Sequence, residues 1–367
     1  MTTTSQVTLD ELSIDDQAVE EFAGRLFELL TSAALAALID IGHRTGLLEA
    51  ASSGPATSPE LAARAGLEER YVREWLAAMV TSGIAEYEPT KATYWLPSEH
   101  AASLTGSGVA NMAPMARLMS MLASHVPAVA DAFRKGGGVP YDAFVPEIHD
   151  VMDGLWRPMY RDLLVSEILP LAPGLEESLR RGARVADVAC GTGNGLLVLA
   201  TGFPASTFTG FDIDEDALAR GRAEASDRGL TNVTFEQCDA AELSVATPFD
   251  VVLVFNAIHD QVAPAAVLGR IHASLAPNGT FLMNEPRVSS NLEDNIDNPV
   301  APFIYAVSTL HCMTVSLAAG GAGLGTGWGE QLACQLLADA GFVDLAVHDA
   351  PRDPVNAVFV ARKPSTT

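Results

Sequence analysis

The first residues with types and spacing suited to chemistry are one aspartate and two glycines. Asp187 falls within the apolar run 185–189, and Gly191 and Gly193 follow it at G-x-G spacing. Glycines let the backbone turn sharply and approach a ligand that any Cβ would obstruct. The leucine-rich segment after Gly193 starts a helix, whose N-terminal amides point at whatever lies over the turn. The stretch therefore predicts a strand, a ligand-binding turn and a helix.

The charge of Asp187 limits what this turn binds. Dinucleotide enzymes use G-x-G-x-x-G, with a pyrophosphate on the helix N-terminus, whereas this chain has G-x-G-x-G and an acid before the first glycine. A carboxylate repels a pyrophosphate and attracts a cation. S-adenosylmethionine (SAM) carries an ammonium and a sulfonium, so Asp187 fits SAM better than NAD. A glycine turn without a cofactor is the structural alternative.

Two further aspartates end the next two predicted strands. Asp212 lies 19 residues after Gly193, which is about where an acid reaches the hydroxyl pair of a ribose. Asp239 follows the third strand, where its carboxylate could accept the amino group of an adenine, with the amide of Ala240 nearby. Acids after three successive strands favour one shared ligand site.

Candidate catalytic residues follow the fourth and fifth predicted strands. His259 and Asp260 lie just past the fourth strand, and Glu285 ends the fifth. Histidine is a base of nearly neutral pKa, which a hydroxyl acceptor needs. For His259 the alternative is a hydrogen bond at a helix start. His311 lies in an apolar helical run, where a satisfied core histidine is an equal alternative.

From Arg184 onward predicted strands and helices alternate, which indicates a doubly wound α/β sheet. The strands are predicted at 184–189, 207–212, 232–237, 249–255, 279–285, 342–348 and 355–362. The helices are predicted near 193–201, 214–228, 263–275 and 330–340. Right-handed crossovers place a ligand at the carboxyl ends of the early strands.

These acids and glycines, in this order, resemble the motifs of class I SAM-dependent methyltransferases. The segment 249–256 resembles the fourth-strand motif, which implies that Asn256 lies beside the transferable methyl group. The resemblance covers roughly 17–363, is strongest over 184–285, and extends to plant-type O-methyltransferases. It implies a seven-stranded Rossmann-like sheet with SAM as the cofactor. In plant-type O-methyltransferases the catalytic histidine follows the fifth strand, and that loop does not align securely here.

The residues before position 98 predict a mainly helical winged-helix domain. Thr57 and Glu60 have capping-box spacing, a second helix ends at Gly83, and two short strands follow. Six acids in this region, Glu60, Glu68, Glu69, Glu74, Glu86 and Glu88, outnumber three bases, Arg64, Arg70 and Arg73. Such a recognition helix would face DNA phosphates with the wrong sign. A dimerisation and packing domain is therefore favoured over DNA binding.

The first predicted helix, 17–41, favours a homodimer. One face would pack on its own winged helix through Trp75 and Met79, leaving an apolar stripe for a second copy. The stripe comprises Leu26, Leu30, Ala33, Ala34 and Ala37. The predicted divisions are 1–97 as the dimerisation domain, 98–172 as a helical connector and possible active-site roof, and 173–367 as the SAM-binding methyltransferase domain. In the connector Met112, Met115 and Met119 favour core packing over a pocket lining.

Charge and cysteine usage limit the partners. The net charge of −24 argues against nucleic acid and anionic membranes. The cysteines, Cys190, Cys238, Cys312 and Cys334, show no metal-ligand spacing, so no metal site is predicted. They predict reduced thiols in a cytoplasmic protein. No apolar run reaches the about 18 residues of a membrane span, and the polar, acidic start predicts neither a signal nor a transit peptide.

The sequence therefore predicts transfer of a methyl group from SAM to a small-molecule acceptor, at a hydroxyl. The main alternative is a winged-helix regulator whose SAM-sensing domain does not catalyse. An NAD-linked oxidoreductase is a weaker alternative, because the third glycine position of its fingerprint is missing.

Overall fold

The computed structural model describes residues 14–365, and the chain divides into two units, Met1–Thr105 and Gly106–Thr367. The start of the chain, predicted to be neither a signal nor a transit peptide, lies outside the described residues. The three-part division at residues 97 and 172 stays a prediction.

The first unit is a set of helices with a two-stranded wing, as predicted. Its described helices are α1 (Asp16–Arg44), α2 (Leu47–Ser52), α3 (Ser58–Ala65), α4 (Glu69–Thr81) and α5 (Ser98–Leu104). Strand β1 (Glu86–Glu88) pairs antiparallel with β2 (Thr93–Trp95). The predicted capping box is present, because the Thr57 amide donates to Glu60 at 2.8 Å. Gly66 ends α3 in the left-handed conformation that favours glycine.

Helix α1 is exposed around its whole circumference over its first half. Residues 16–34 are all exposed. The helix meets the rest of its unit near its end, where the indole of Trp75 donates to the carbonyl of Leu38 at 2.8 Å. The Trp75 ring also packs against Gly42, where a Cβ on this glycine would lie only 2.8 Å from the ring. The predicted packing of this helix on its own winged helix through Trp75 is therefore present, but it is limited to the last turns of α1.

The second unit is built on the predicted seven-stranded sheet, which is confirmed. The strands are β3 (Arg184–Val188), β4 (Thr207–Asp212), β5 (Val233–Gln237), β6 (Phe249–Phe255), β7 (Leu275–Pro286), β8 (Val343–Asp349) and β9 (Asn356–Arg362). Their order in the sheet is β5-β4-β3-β6-β7-β9-β8. Strands β3 to β7 run parallel, and β9 is antiparallel to both of its neighbours.

Helices cover both faces of this sheet. The described α-helices of the second unit are α6 (Ala113–Ser124), α7 (Val126–Lys135), α8 (Glu147–Met159), α9 (Leu175–Arg181), α10 (Asn194–Gly202), α11 (Glu215–Asp227), α12 (Pro264–Ser274), α13 (Ala301–Val307), α14 (Met313–Ala318) and α15 (Glu330–Asp339). Two π-helical segments, Tyr160–Ile168 and Ser308–Cys312, continue α8 and join α13 to α14.

The apolar run of β3 follows from its central place in the sheet. Val185 and Ala186 are both fully buried, and each belongs to a different apolar cluster. Successive strand residues point to opposite faces, so each face needs its own apolar residue. A parallel strand covered on both sides therefore reads as one continuous apolar run.

The order of the strands decides where a ligand can bind. From β3 the sheet grows to β4 and β5 on one side, and to β6 and β7 on the other. Loops that leave β3 and β6 in opposite directions open a crevice at the carboxyl ends of these strands. The predicted aspartates lie at this edge.

Two helical stretches pass the length and composition test for a membrane span, which corrects the expectation that no run is long enough. They are Asp16–Arg44 and Ala301–Ala318. The test concerns length and composition alone, and core helices and signal sequences also pass it.

Candidate active site

A cavity of about 820 Å³ lies at the carboxyl ends of β3, β4, β5 and β6. Helices α6 and α8 and the segment from α13 to α14 supply its other walls. Nine predicted site residues line it: Asp187, Gly191, Asp212, Asp239, Ala240, Asn256, His259, Asp260 and His311. Gly193 and Glu285 were also predicted, but they lie behind the cavity surface.

The two glycines of the turn serve different purposes. Gly191 has φ +54° and faces open space, and its amide donates to Asp212 at 2.7 Å. Gly193 has φ +72°, and a Cβ there would lie 2.2 Å from the ring of Phe235. The first glycine therefore leaves room over the turn, whereas the second lets the turn pack on the sheet.

Asp187 presents an unpaired carboxylate oxygen to the cavity. Its side chain is 3% exposed, and its Oδ1 accepts no hydrogen bond from the described residues. Burial raises the pKa of this carboxyl well above its usual range, and the charge of Asp212 raises it further. A buried carboxyl of this kind gains from a cationic partner.

Asp212 is held in place by the backbone. Its Oδ2 accepts from the Gly191 amide at 2.7 Å and its Oδ1 from the Asp214 amide at 2.9 Å. Burial raises the pKa of the Asp212 carboxyl, while these two hydrogen bonds lower it. Each oxygen keeps a second lone pair, so the carboxylate can accept from two neighbouring hydroxyls.

The ends of β5 and β6 supply the remaining predicted binding residues. Asp239 is exposed, and its Oδ1 accepts from the Ala241 amide at 2.8 Å. The buried Ala240 lines the cavity beside it. Asn256 adopts φ +52°, and its buried Nδ2 has no hydrogen-bond partner among the described residues. A ligand in the cavity can satisfy this donor.

These groups match the chemical parts of SAM. The unpaired oxygen of Asp187 suits an ammonium group, and Asp212 suits a ribose hydroxyl pair. The exposed carboxylate of Asp239 suits an adenine amino group. The residues of this cavity therefore fit SAM.

Asp153, on α8, is a cavity residue that was not predicted from the sequence. Its Oδ1 accepts from Thr192 Oγ1 at 2.5 Å and from Asn194 Nδ2 at 2.6 Å. Its Oδ2 pairs with Arg157 at 3.1 Å. The hydrogen bonds from Thr192 and Asn194 join α8 to the turn after β3. One acid on an amphipathic helix carries no motif, so sequence reasoning had no signal for it.

His259 lies in a short 3₁₀ turn after β6 and is 2% exposed. Its Nδ1 is hydrogen-bonded to Glu285, which leaves Nε2 as the nitrogen that can serve the cavity. Burial by itself lowers the pKa of this imidazole, but the charges of Glu285 and Asp260 outweigh it and hold that pKa well above its usual range.

Glu285 does not reach the cavity, which corrects its prediction as a base. Its side chain is 0% exposed. Its Oε1 accepts from the amides of Ala257 and Ile258 at 3.1 and 2.8 Å, and its Oε2 is bonded to His259. Glu285 is therefore a positioning residue, because its hydrogen bonds to Ala257, Ile258 and His259 fix the loop that carries the histidine.

Asp260 and His311 both line the cavity. Asp260 Oδ1 lies 3.2 Å from His259 Nε2 but accepts no hydrogen bond from the described residues. Burial lowers the pKa of the His311 imidazole, so this ring is neutral near neutral pH. His311 Nε2 is buried without a hydrogen-bond partner among the described residues. This histidine is therefore not a satisfied core residue.

Two family models match the chain. Residues 33–106 match the Rv2258c-like winged HTH domain, and residues 179–316 match the Methyltransferase domain. The second match contains the glycine turn, the three aspartates and the histidine loop described above.

Curated relatives match over part of the chain. The trans-aconitate 2-methyltransferase of Methylobacterium nodulans is 32% identical over 117 residues, which are 32% of this chain and 41% of that protein. The fatty-acid O-methyltransferase of Mycolicibacterium smegmatis is 34% identical over 107 residues, which are 29% of this chain and 38% of that protein. The chain thus spans about two fifths of the length of these relatives.

Solved structures share the fold over nearly the whole chain. An O-methyltransferase family protein from Burkholderia thailandensis is 18% identical, with a TM-score of 0.69 over 94% of this chain and 99% of that one. Human N-acetylserotonin methyltransferase in complex with SAM is 17% identical, with a TM-score of 0.70 over 96% and 99%. The chain therefore carries a winged HTH domain followed by a methyltransferase domain, as the two family models match them, and the solved structures share its fold.

Proposed function

We propose that this protein transfers the methyl group of SAM to a hydroxyl group of a small, apolar, uncharged molecule. The observation that carries this proposal is His259, a buried histidine oriented by Glu285 at the wall of the cavity that fits SAM. A domain that only senses SAM has no need for an oriented imidazole beside the cofactor.

When bound, SAM would supply an electrophilic methyl group on its sulfonium sulfur. An acceptor oxygen in line with the carbon–sulfur bond would take this methyl group, and S-adenosylhomocysteine would be the leaving group. His259 Nε2 takes the proton of the acceptor hydroxyl as the new bond forms. In the free protein the charges of Glu285 and Asp260 raise the pKa of this imidazole, and only its deprotonated form can act as the base. A positive charge in the cavity opposes the carboxylates and favours that form.

The wall of the cavity away from the strand ends favours an apolar acceptor. It includes Leu118, Met152, Leu155, Trp156, Met159, Phe303, Ile304, Val307 and Val315. Met112 and Met115 also line the cavity. Met112 is 55% exposed, so its prediction as a core residue is wrong, whereas Met115 and Met119 pack against an apolar core cluster as predicted. Methionines and aromatic rings adapt to flat, apolar molecules.

The charges of the lining disfavour an anionic acceptor. Among the described lining residues the acids are Asp153, Asp187, Asp212, Asp239, Asp260 and Asp353, whereas Arg352 is the single arginine or lysine. Arg352 already pairs with Glu167 at 2.9 Å. Carboxylates bind where arginines or lysines offset their charge, and this cavity offers a surplus of negative charge. We therefore expect an acceptor unlike the acids named for the curated relatives.

Methyl transfer from radiolabelled SAM to a panel of acceptors tests the proposal. Neutral aromatic alcohols should be methylated, whereas trans-aconitate and a fatty acid should not. His259→Asn should lower kcat by about 10²–10⁴-fold and leave SAM affinity nearly unchanged. His348→Asn, on β8 outside the cavity, is the matched control and should keep full activity. If His311→Asn lost activity while His259→Asn kept it, the assignment of the base would be wrong.

A regulator that senses SAM is the second candidate, because residues 33–106 match a winged HTH model. The surplus of acids in this region disfavours contact with phosphates. Mobility shifts with random duplex at low salt distinguish the two functions. We expect no complex at micromolar protein. A salt-sensitive complex without methyl transfer would favour the regulator.

We further propose that α1 pairs with the α1 of a second copy in a cytoplasmic homodimer. Phe22, Leu26 and Leu30 lie one turn apart and are 64%, 44% and 62% exposed, and monomers rarely leave such a patch in water. A stable interface here would bury on the order of 2,000 Å². The four cysteines are free thiols, as a reducing compartment requires.

Light scattering tests the dimer. The wild-type protein should have twice the mass of one chain at micromolar concentration. Glu substitutions of both Leu26 and Leu30 should give a monomer, because they place charges in the apolar contact. Thr31→Glu, also exposed on α1, serves as a single-charge comparison. A wild-type monomer would contradict the proposal.

A further inference from the structure

Cys312 enters the cavity through a π-helical segment. In an α-helix, successive side chains point about 100° apart, yet His311 and Cys312 are both buried and both line the cavity. The π-helical backbone of Ser308–Cys312 changes the spacing at this point, and such turns are frequent at functional sites. The proposed methyl transfer assigns no role to the Cys312 thiol.

Three ligand types meet beside this thiol. His259, Asp260 and Cys312 each offer one ligand atom, and these three atoms all lie within 4.8 Å of one another. His259 Nε2 and Asp260 Oδ1 are 3.2 Å apart, and this oxygen accepts no hydrogen bond from the described residues. Bonds of about 2.0–2.2 Å at a tetrahedral angle separate a nitrogen and an oxygen ligand of Zn²⁺ by about 3.3 Å. The pair therefore already has the spacing of two zinc ligands.

Glu285 contacts His259 on the side away from these ligand atoms, as a carboxylate beside a metal-binding histidine does. A histidine that binds a metal through one ring nitrogen usually donates its other N–H to a carboxylate, and Nδ1 of His259 is bonded to Glu285. Two carboxylates and a thiolate supply the negative charge that offsets a dication. His259 and Cys312 are 2% and 6% exposed, so bulk water has little access to these two ligands.

We propose that His259, Asp260 and Cys312 bind a thiophilic divalent cation such as Zn²⁺. Nitrogen, oxygen and sulfur together favour zinc or cobalt over magnesium and calcium. Three protein ligands leave a fourth position open to the cavity, as in sites that exchange their metal-bound ligand. The cation occupies the Nε2 lone pair that the proposed methyl transfer needs, so bound metal and proton acceptance exclude each other.

The absorption spectrum of the protein with added Co²⁺ tests the site without measuring activity. The full-length protein should bind one Co²⁺ with tetrahedral bands and a thiolate-to-cobalt charge-transfer band, and Zn²⁺ should abolish both. Cys312→Ser should lose the charge-transfer band. The control that replaces Cys190, Cys238 and Cys334 with serine retains Cys312 as the one cysteine and should keep this band. Glu285→Gln should weaken Co²⁺ binding by about 10–100-fold.

The same spectra can overturn the proposal. A wild-type protein without the charge-transfer band, or a band that survives Cys312→Ser, excludes this site. If Cys312→Ser fails to fold by circular dichroism, the triple-serine control decides: a retained band assigns it to Cys312, and loss of the band assigns it to another thiol. Methyl transfer by the metal-free protein is scored separately, so failure of that function leaves the metal result intact.

Discussion

Replacing Asp187 with asparagine should make the ligand-free protein more stable and its SAM complex weaker. The carboxyl is buried, and burial together with Asp212 holds its pKa well above its usual range. A group whose pKa is raised in the folded state contributes stability at pH values below its unfolded pKa. It loses this contribution as the pH rises through the folded pKa. At neutral pH Asp187→Asn removes an unfavourable ionisation, so the ligand-free melting temperature should rise.

The SAM complex should respond in the opposite direction. A hydrogen bond to a charged group contributes about 1.5–3 kcal/mol, and a loss of about 2 kcal/mol weakens the Kd by about 30-fold. At a SAM concentration 100 times the wild-type Kd, SAM stabilises the wild-type fold by about 2.7 kcal/mol. The same concentration stabilises Asp187→Asn by about 0.9 kcal/mol. The variant should therefore begin with a higher melting temperature and gain less from SAM.

Scanning calorimetry with and without SAM measures both effects. Titration calorimetry across pH adds a second test: wild-type affinity should fall as acid protonates Asp187, whereas Asp187→Asn should show a flatter profile. Asp227→Asn, on the exposed end of α11, is the matched control and should change neither quantity. A ligand-free variant that melts earlier, or one that keeps the full stabilisation by SAM, would refute the placement of Asp187 beside the ammonium group.

Two further predictions concern the same edge of the sheet. Asp212→Ala should weaken SAM binding by about 1.5–3 kcal/mol, because hydrogen bonds to a charged acceptor are lost; unchanged affinity in titration calorimetry would remove Asp212 from the site. Gly193→Ala should destabilise the fold by about 1–3 kcal/mol in urea unfolding, because the new Cβ meets the Phe235 ring at 2.2 Å. Gly202→Ala, at the end of the helix that begins just after Gly193 and with open space around it, should stay within about 1 kcal/mol of wild type. Equal effects of the two alanines would contradict the packing role of Gly193.

Local sequence patterns determined the sheet and the cofactor edge. The apolar run before Gly191 predicts a buried parallel strand because residues on both faces of that strand must be apolar. Asp212 is the last residue of β4 and Asp239 comes two residues after β5, so their places at the same edge follow from the alternation of strands and helices. The capping box at Thr57 is likewise local, since its bonds span three residues.

Contacts between distant segments decided the catalytic side. Glu285 lies behind His259 because β7 pairs with β6, and that pairing brings together residues 26 positions apart. Cys312 reaches the same histidine through a π-helical segment, and Asp153 reaches the glycine turn from α8 across 39 residues. The spacing of these residues along the chain carries no signal, because packing sets their distances. Sequence therefore determined which strand ends carry acids, whereas tertiary structure decided which side chains share the cavity with them.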